Sequence, residues 1–315
     1  MAIFNFGSIN IDHVYNVPHF VQPGETLGSS AYDAILGGKG ANQSIACAKA
    51  GASTFHVGSI HSNDANMLSP MLDASVNMKF VVQQNHTPSG HAIIQVNAQG
   101  ENAIILFPGA NHLLTDEIVK NALSHANEGD WVLLQNETND IDVIIETAFA
   151  HKIPVAFNPA PMTEAVKDLP LEKVSMLIVN EIEAKQLTGT ESIDEAQQAL
   201  LDMSEKTEVL FTLGKKGVRF IKQSKVIHVD AFSVTAVDTT AAGDTFIGFF
   251  LAQYAMLQST IDAHNTNELS NQDAAITQAL TRACAASAIC VTRHGASPSV
   301  PSADEVDEFL RKHRV

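Results

Sequence analysis

An α/β fold is predicted, with a mostly parallel sheet covered on both faces and a small β appendage, and three observations predict it. Short apolar, β-branched runs recur along the chain. Helical patterns lie between them over most of the length, the alternation that builds parallel sheets. Two stretches break that alternation, His13–Ser30 and His91–Phe107, and neither fits a β-α-β unit.

Taken in order, Ile3–Ser8 is a first strand ending in Gly7-Ser8, and Gly40–Ala50 is a helix of small residues closed by Gly51. Strands follow at Thr54–Ile60, Trp131–Gln135, Pro154–Asn158, Met176–Asn180 and Val209–Leu213. Helices are expected at Asp116–Ala126, Asp140–Ala150 and Ile193–Met203. Ser192 with Glu195, and Ser302 with Glu305, have capping-box spacing. The last helix ends in Arg311-Lys312-His313-Arg314, which complements the negative end of its dipole. His91–Gln99 and Asn102–Phe107 form a hairpin across Gly100-Glu101. With His13–Ser30 they make an appendage drawn from two separated stretches, consistent with a lid. Val218–Gln223 and Lys225–Ala231 form a second hairpin, and the polar stretch Asp262–Asp273 is expected to be an exposed loop.

The chain has 315 residues, enough for about two domains at roughly 150 residues each. At 45% hydrophobic and 17% charged, it can bury a substantial core, which excludes wholesale disorder. The net charge of −16 repels phosphate backbones and anionic lipid, so nucleic acid and membrane surfaces are excluded as partners. No apolar run reaches the roughly 18 residues of a membrane span. Cys47, Cys284 and Cys290 fit no metal spacing and no disulfide framework, so all three read as small buried hydrophobes in a reducing compartment. The N-terminus reads as a strand and not as a signal peptide, and a cytoplasmic location follows.

The strongest chemical signal is Asp238-Thr239-Thr240-Ala241-Ala242-Gly243-Asp244-Thr245, followed by the apolar stretch Phe246–Leu257. Small residues at a helix mouth let unpaired amides approach an anion. An aspartate beside them can take the proton of an attacking hydroxyl. The same residues also suit an ordinary turn with an aspartate in the first helical turn. Gly37-Gly38-Lys39-Gly40-Ala41-Asn42-Gln43 enters a small-residue helix and permits close backbone approach to a ligand, with Asn42 able to pair with hydroxyls. It is not a Walker A loop, because Gly40 stands where Ser or Thr should follow the lysine. Asn10 and Asp12, after strand one, are placed for a polyhydroxy ligand at the carboxyl ends of the strands.

Together, in this order, these segments resemble the ribokinase branch of the PfkB carbohydrate-kinase family. Further landmarks extend the likeness over nearly the whole chain: Gln135-Asn136-Glu137, Asn158-Pro159-Ala160-Pro161, Asn180-Glu181-Ile182-Glu183, Thr212 to Gly217 and Thr292 to Ser299. The resemblance implies a three-layer Rossmann-like core of residues 1–11, 37–89 and 109–315, with a β lid of 12–36 and 90–108 that often pairs to make a homodimer. Asp244 matches the family's catalytic base. Ala241, Ala242 and Gly243 match the anion hole for the γ-phosphate. Asn10, Asp12, Gly38, Lys39, Asn42 and Glu137 match sugar-contacting positions. Asn180 and Glu183 match the pair that organises Mg²⁺, mostly through water, and the ATP phosphates. Thr212, Gly214 and Gly217 match the turn that receives the nucleotide. Asp238, Thr240, Cys290, Arg293, Gly295 and Ser299 match a K⁺ site, where several ligands are backbone carbonyls.

Some residues depart from the family pattern. His61-Ser62-Asn63-Asp64-Ala65-Asn66 lacks the glycines usual after the second strand, Ile247 replaces an Asn, and Phe249 replaces a small residue. The implied reaction is ATP-dependent phosphorylation of D-ribose at O5. An acceptor pocket of amides and carboxylates, with only Lys39 basic, suits a neutral sugar better than a sugar phosphate. The alternatives are another free sugar (deoxyribose, fructose), a nucleoside such as pseudouridine, or a non-catalytic sugar-binding regulator of the same fold.

Overall fold

The computed structural model describes residues 1–203, 205–223, 225–264 and 269–313. Its strands are β1 (Ala2–Phe6), β2 (Asn10–Asn16), β3 (Ala31–Gly37), β4 (Ser53–His61), β5 (Asn77–Gln84), β6 (Gly90–Val96), β7 (Asn102–Phe107), β8 (Trp131–Gln135), β9 (Val155–Asn158), β10 (Met176–Asn180), β11 (Glu208–Thr212), β12 (Val218–Lys222) and β13 (Lys225–Val229). Its α-helices are α1 (Lys39–Lys49), α2 (Ser69–Asp73), α3 (Asp116–Leu123), α4 (Ile141–Ala150), α5 (Glu181–Thr188), α6 (Ile193–Met203), α7 (Ala242–His264), α8 (Leu269–Cys290) and α9 (Ala303–His313).

Among the described residues, nine strands form one sheet in the order β13-β12-β11-β10-β9-β8-β1-β4-β5. From β11 to β5 every pairing is parallel, and β12 and β13 add an antiparallel edge. The pleat sends alternate side chains to opposite faces, so a strand covered on both sides must be apolar throughout. On β8, Trp131 and Leu133 enter the core beneath α1, α7 and α8, while Val132 and Leu134 enter the core beneath α3, α4 and α6. On β10, Met176 and Ile178 face the first core and Leu177 and Val179 the second. These two cores define three layers, an α/β architecture as the alternation predicts. Phe249 is fully buried in the first core.

The smaller sheet has the order β3-β2-β6-β7, with β2 and β6 parallel and the outer pairs antiparallel. One face carries Asp12, Val14, Ile35, Ala92, Ile94 and Leu106 toward a large cavity. The other carries His13, Tyr15, Tyr32, His91, Ile105 and Phe107, whose rings contact one another. Ile105 is 65% exposed and Phe107 45%.

Two expectations change. The polar stretch at 262–273 is not one loop: Asp262–His264 continue α7 and Leu269–Asp273 open α8, with 265–268 outside the described residues. Within His13–Ser30 the strand is confined to the end of β2, and its partner β3 begins only at Ala31. No helix among the described residues is long and apolar enough to cross a membrane. All three cysteines are free and buried.

Candidate active site

The cavity between the two sheets measures about 1100 Å³ and lies over the carboxyl ends of β9, β10 and β11, where open α/β sheets bind ligands. The first turn of α7 forms its floor. A Cβ on Gly248 would overlap the Ala46 side chain, so these small residues let α7 and α1 approach closely. That packing sets the amides of Asn42 and Gln43 on α1 beside Asp244 on α7. Asn42 Nδ2 donates to Asp244 Oδ2 at 3.1 Å, and Gln43 Nε2 to Asp244 Oδ1 at 2.9 Å. Both carboxylate oxygens are thereby held, while Asn42 Oδ1 is buried without a partner and is left for a ligand.

The α7 entry is strained and open. Ala241 sits at φ +59°, a left-handed conformation that costs a non-glycine residue about 1–2 kcal/mol. Ala242 N–H turns back to Thr239 O at 3.3 Å, and Thr245 N–H reaches Ala241 O at 2.8 Å. The amides of Ala241, Gly243 and Asp244 have no acceptor among the described residues. A Cβ built on Gly243 would meet nothing within 4 Å, so the cavity floor is clear above these donors. Ile247, one turn on, belongs to the core and to the cavity wall.

Asn10, Asp12, Gly38, Lys39, Asn42 and Glu137 all line this cavity, as does Asp244. Burial, and then the neighbouring Glu137, push the Asp12 carboxyl up to about 6. Burial also raises Glu137 above the ordinary glutamate range, opposed by Lys39 and by donation from Ser8 Oγ and Lys39 N–H. The Lys39 ammonium is held above its ordinary value chiefly by Asp244, against burial, with Glu137 and Glu183 adding to it. Asn10 Oδ1 accepts from Asn111 Nδ2 at 2.7 Å, while Asn111 Oδ1 accepts from Ile9 N–H, so Asn111 orients Asn10.

Asn180 and Glu183 line the cavity and form a full capping box for α5. Asn180 Oδ1 accepts from the Ile182 and Glu183 amides, and Glu183 Oε2 accepts from Asn180 N–H, each at 2.9 Å. Burial raises the Glu183 carboxyl above its ordinary range. Thr212 lines the cavity, but Gly214 and Gly217 are not among its lining residues. Gly217, at φ +90°, makes the turn into β12, where a Cβ would overlap Val229 O.

The segments 238–240 and 290–299 meet beside the α7 entry. Asp238 Oδ1 accepts from Thr240 N–H at 2.8 Å and Oδ2 from Gly295 N–H at 2.9 Å. Burial works against the charge on Asp238, but these bonds outweigh it and hold the carboxyl below its usual range. Cys290 Sγ lies 3.0 Å from Ser299 Oγ and 3.7 Å from Thr240 O. Arg293 turns its guanidinium away to Glu305, so only its backbone faces the cluster. The altered His61–Asn66 stretch forms a 3₁₀ turn tied to the chain before β6, through His61 N–H to Ser89 Oγ and Ser89 Oγ to Asp64. It does not line the cavity.

Sequence reasoning assigned no role to Gln43, Asn5, Gln135 or Asn111. The available signal was a polar side chain inside an apolar strand or a small-residue helix: Asn5, Gln43 and Gln135 are fully buried, and buried amides are there to be hydrogen-bonded.

Comparison with known proteins extends the likeness to the whole chain. The pfkB family carbohydrate kinase profile matches residues 2–303. The ribokinase of Haemophilus influenzae is 35% identical over 313 residues, covering 96% of each chain. The deoxyribokinase of Salmonella typhi is 30% identical over 321 residues, covering 98% of this chain and 99% of its own. The structure of Arabidopsis thaliana ribokinase complexed with ribose and ATP matches with a TM-score of 0.82 at 29% identity, covering 99% of both chains. With a family match over nearly its full length and relatives aligned end to end, the chain belongs to the pfkB family of carbohydrate kinases, phosphotransferases that act on an alcohol group.

Proposed function

We propose that the protein phosphorylates D-ribose at O5 with ATP as phosphoryl donor. The observation that carries this reading is the pairing of Asp244, clamped through both oxygens, with the open amides of Gly243 and Asp244 at the same helix mouth. Asp244 accepts the proton as the sugar hydroxyl attacks the γ-phosphorus. The P–O bond to the leaving ADP breaks as the new one forms. The α7 amides donate to the phosphoryl oxygens as charge spreads over them.

The acceptor wall combines Asn10, Asp12, Asn42 and Glu137, groups that pair with neutral hydroxyls. Lys39 is the one lysine or arginine lining the cavity among the described residues, and Asp244, Glu137 and Glu183 already hold its charge. A phosphate already on the acceptor would find no further lysine or arginine among the described lining residues. The name of the Haemophilus relative and the ribose and ATP bound to the Arabidopsis relative support the same substrates. Similarity to a deoxyribokinase favours 2-deoxyribose as the second reading.

The cavity carries several carboxylates against one lysine, so a polyphosphate needs accompanying cations there. The residues fit that need. Glu183 and Asn180 are placed to hold Mg²⁺ through water, and Mg²⁺ would neutralise charge on the phosphates. Asp238, with the carbonyls around Thr240 and Gly295, offers hard oxygen donors suited to K⁺, next to the strained Ala241 turn. Thr240 joins this cluster through its carbonyl, and Cys290, Arg293 and Ser299 frame it from the other side. We read the small sheet as a lid over the acceptor, and its outer apolar face as the contact between two copies of the chain.

The test is a coupled ADP assay over D-ribose, 2-deoxy-D-ribose, D-fructose, adenosine and pseudouridine at matched Mg²⁺ and K⁺. The highest kcat/KM is expected for D-ribose. Turnover on a nucleoside alone, or ribose binding without ADP release, would defeat the reading.

A further inference from the structure

Seven buried polar groups between β4 and α7 form a chain of hydrogen bonds whose direction can be followed from end to end. It starts at Gly7 O, a carbonyl that can only accept. His56 Nε2 lies 3.0 Å from it and must carry the proton. Burial keeps this imidazole neutral, its pKa lowered to about 4. His56 Nδ1 is then an acceptor, and Ser44 Oγ, 2.8 Å away, donates to it. The Ser44 oxygen accepts from Asn5 Nδ2 at 2.8 Å, and the same amide nitrogen donates to Gly40 O at 2.8 Å.

Asn5 must therefore turn Oδ1 toward Gln135. Gln135 Nε2 gives one hydrogen to Asn5 Oδ1 at 2.9 Å and the other to Gln43 Oε1 at 2.8 Å. With its oxygen so engaged, Gln43 has only its NH₂ group to present to Asp244 Oδ1. A second constraint agrees. Asn158 Nδ2 is committed to Ile178 O at 3.0 Å, which leaves Asn158 Oδ1 as a weak acceptor, 3.5 Å from Gln43 Nε2. A flipped Gln43 would set carbonyl oxygens against both Asp244 and Asn158, and the buried chain offers no way to relieve that.

We propose that Gln43 is a positioning residue for phosphoryl transfer, whose amide is oriented by the chain from His56 through Ser44, Asn5 and Gln135 so that it holds the Asp244 carboxylate toward the acceptor hydroxyl. The proposal rests on the reading of Asp244 as proton acceptor. Gln43 touches no substrate in this role, since its two hydrogens and its oxygen are all occupied within the protein. Its removal frees one carboxylate oxygen to rotate, which acts on the reacting geometry and leaves the sugar-contacting groups in place.

The experiment compares steady-state kinetics, ribose binding by calorimetry and melting temperature for Gln43→Met, Gln43→Glu, Gln135→Met and Asp244→Asn. Gln43→Met keeps length and loses the donor. Its kcat should fall on the order of 10²-fold, the scale of a misplaced reacting group, with the sugar KM unchanged. Gln43→Glu should lower kcat further, because two carboxylates then face each other. Gln135→Met, which has no contact with Asp244, should lower kcat by on the order of tenfold by releasing the Gln43 amide. Wild-type kcat in Gln43→Met alongside an inactive Asp244→Asn would overturn the positioning role alone. A raised KM with kcat retained would overturn it as well. Near-normal turnover in Asp244→Asn would remove the base itself and the proposal with it. If Gln43→Met does not fold, Gln135→Met decides: unchanged kcat there overturns the chain.

Discussion

Asn42 and Asp244 meet at 3.1 Å across 202 residues of sequence, one on α1 and the other on the first turn of α7. On the proposed reading the bond ties the acceptor wall to the phosphate floor, because Asn42 Oδ1 has no partner of its own while the nitrogen fixes the carboxylate. Asp244→Asn keeps the shape and removes the proton acceptor. Ribose binding should persist while kcat falls on the order of 10²–10⁴-fold. Calorimetry and an ADP-release assay on the same preparation check this, and near-normal turnover would exclude Asp244 as base.

The raised carboxyl of Asp12 predicts a pH dependence of stability. The unfolded chain ionises Asp12 near its ordinary 3.8, whereas the folded chain retains the proton until about 6. The folded state binds more protons in that window, so the ligand-free protein loses stability as pH rises from about 4 to 6. The loss attributable to this group is on the order of 2–3 kcal/mol. Urea unfolding at several pH values should show that slope, and Asp12→Asn should flatten it. An identical slope in the variant would assign it to other groups.

The helix-cap role of Glu183 can be separated from its proposed role toward Mg²⁺. Asn180→Ala removes the cap of α5 and should cost about 1 kcal/mol of stability. Glu183→Gln retains an oxygen for the Asn180 amide, so the capping box survives and the melting temperature should stay near that of the parent. Its charge is gone, however, and the Mg²⁺ concentration for half-maximal rate should rise by about 10–100-fold. An unchanged Mg²⁺ titration would leave Glu183 with the helix cap alone.

A monovalent cation at the Asp238 cluster would steady the Ala241 turn. Turnover should fall several-fold when K⁺ is replaced by Li⁺, and Asp238→Asn should abolish the difference between the two ions. Equal rates in both salts with the parent protein would dismiss the site.

The exposed rings and isoleucines on the outer face of the small sheet predict self-association. Light scattering should give a dimer for the parent chain, and Ile105→Asp, a charge set at a position 65% exposed, should give a monomer. A monomeric parent at micromolar concentration would refute the dimer.

The central strands were legible because both of their faces are apolar, as in β8 and β10, whose limits match the expectation. β3 and β5 were not foreseen. Both are edge strands, half exposed and partly polar, and pairing with β2 and β4 holds them where local preference does not. The helical ends of the 262–273 stretch were missed for a related reason, since α7 and α8 are held by packing along their earlier and later turns. Asp244 and Asn42 could each be read from its own local motif. The chain behind Gln43 could not, because positions 5, 43–44, 56 and 135 lie on four elements far apart in sequence and meet only when β1, α1, β4 and β8 pack. The helix cap at Asn180 and Glu183 was hidden by the chemistry expected of the same two residues.

Between β1 and β2 only Gly7, Ser8 and Ile9 intervene, so an interior strand of the large sheet runs almost directly into the small one. Asp12 therefore belongs to the small sheet, and Asp244 to the helix layer of the large one. The small sheet supplies Asp12 to the proposed acceptor pocket, while Asn42, Glu137 and Asp244 come from the large-sheet core. On the proposed reading, changes to the β6–β7 residues that line the cavity are expected to retune which sugars are admitted while leaving the Asp244 cluster in place, an arrangement open to natural or directed diversification.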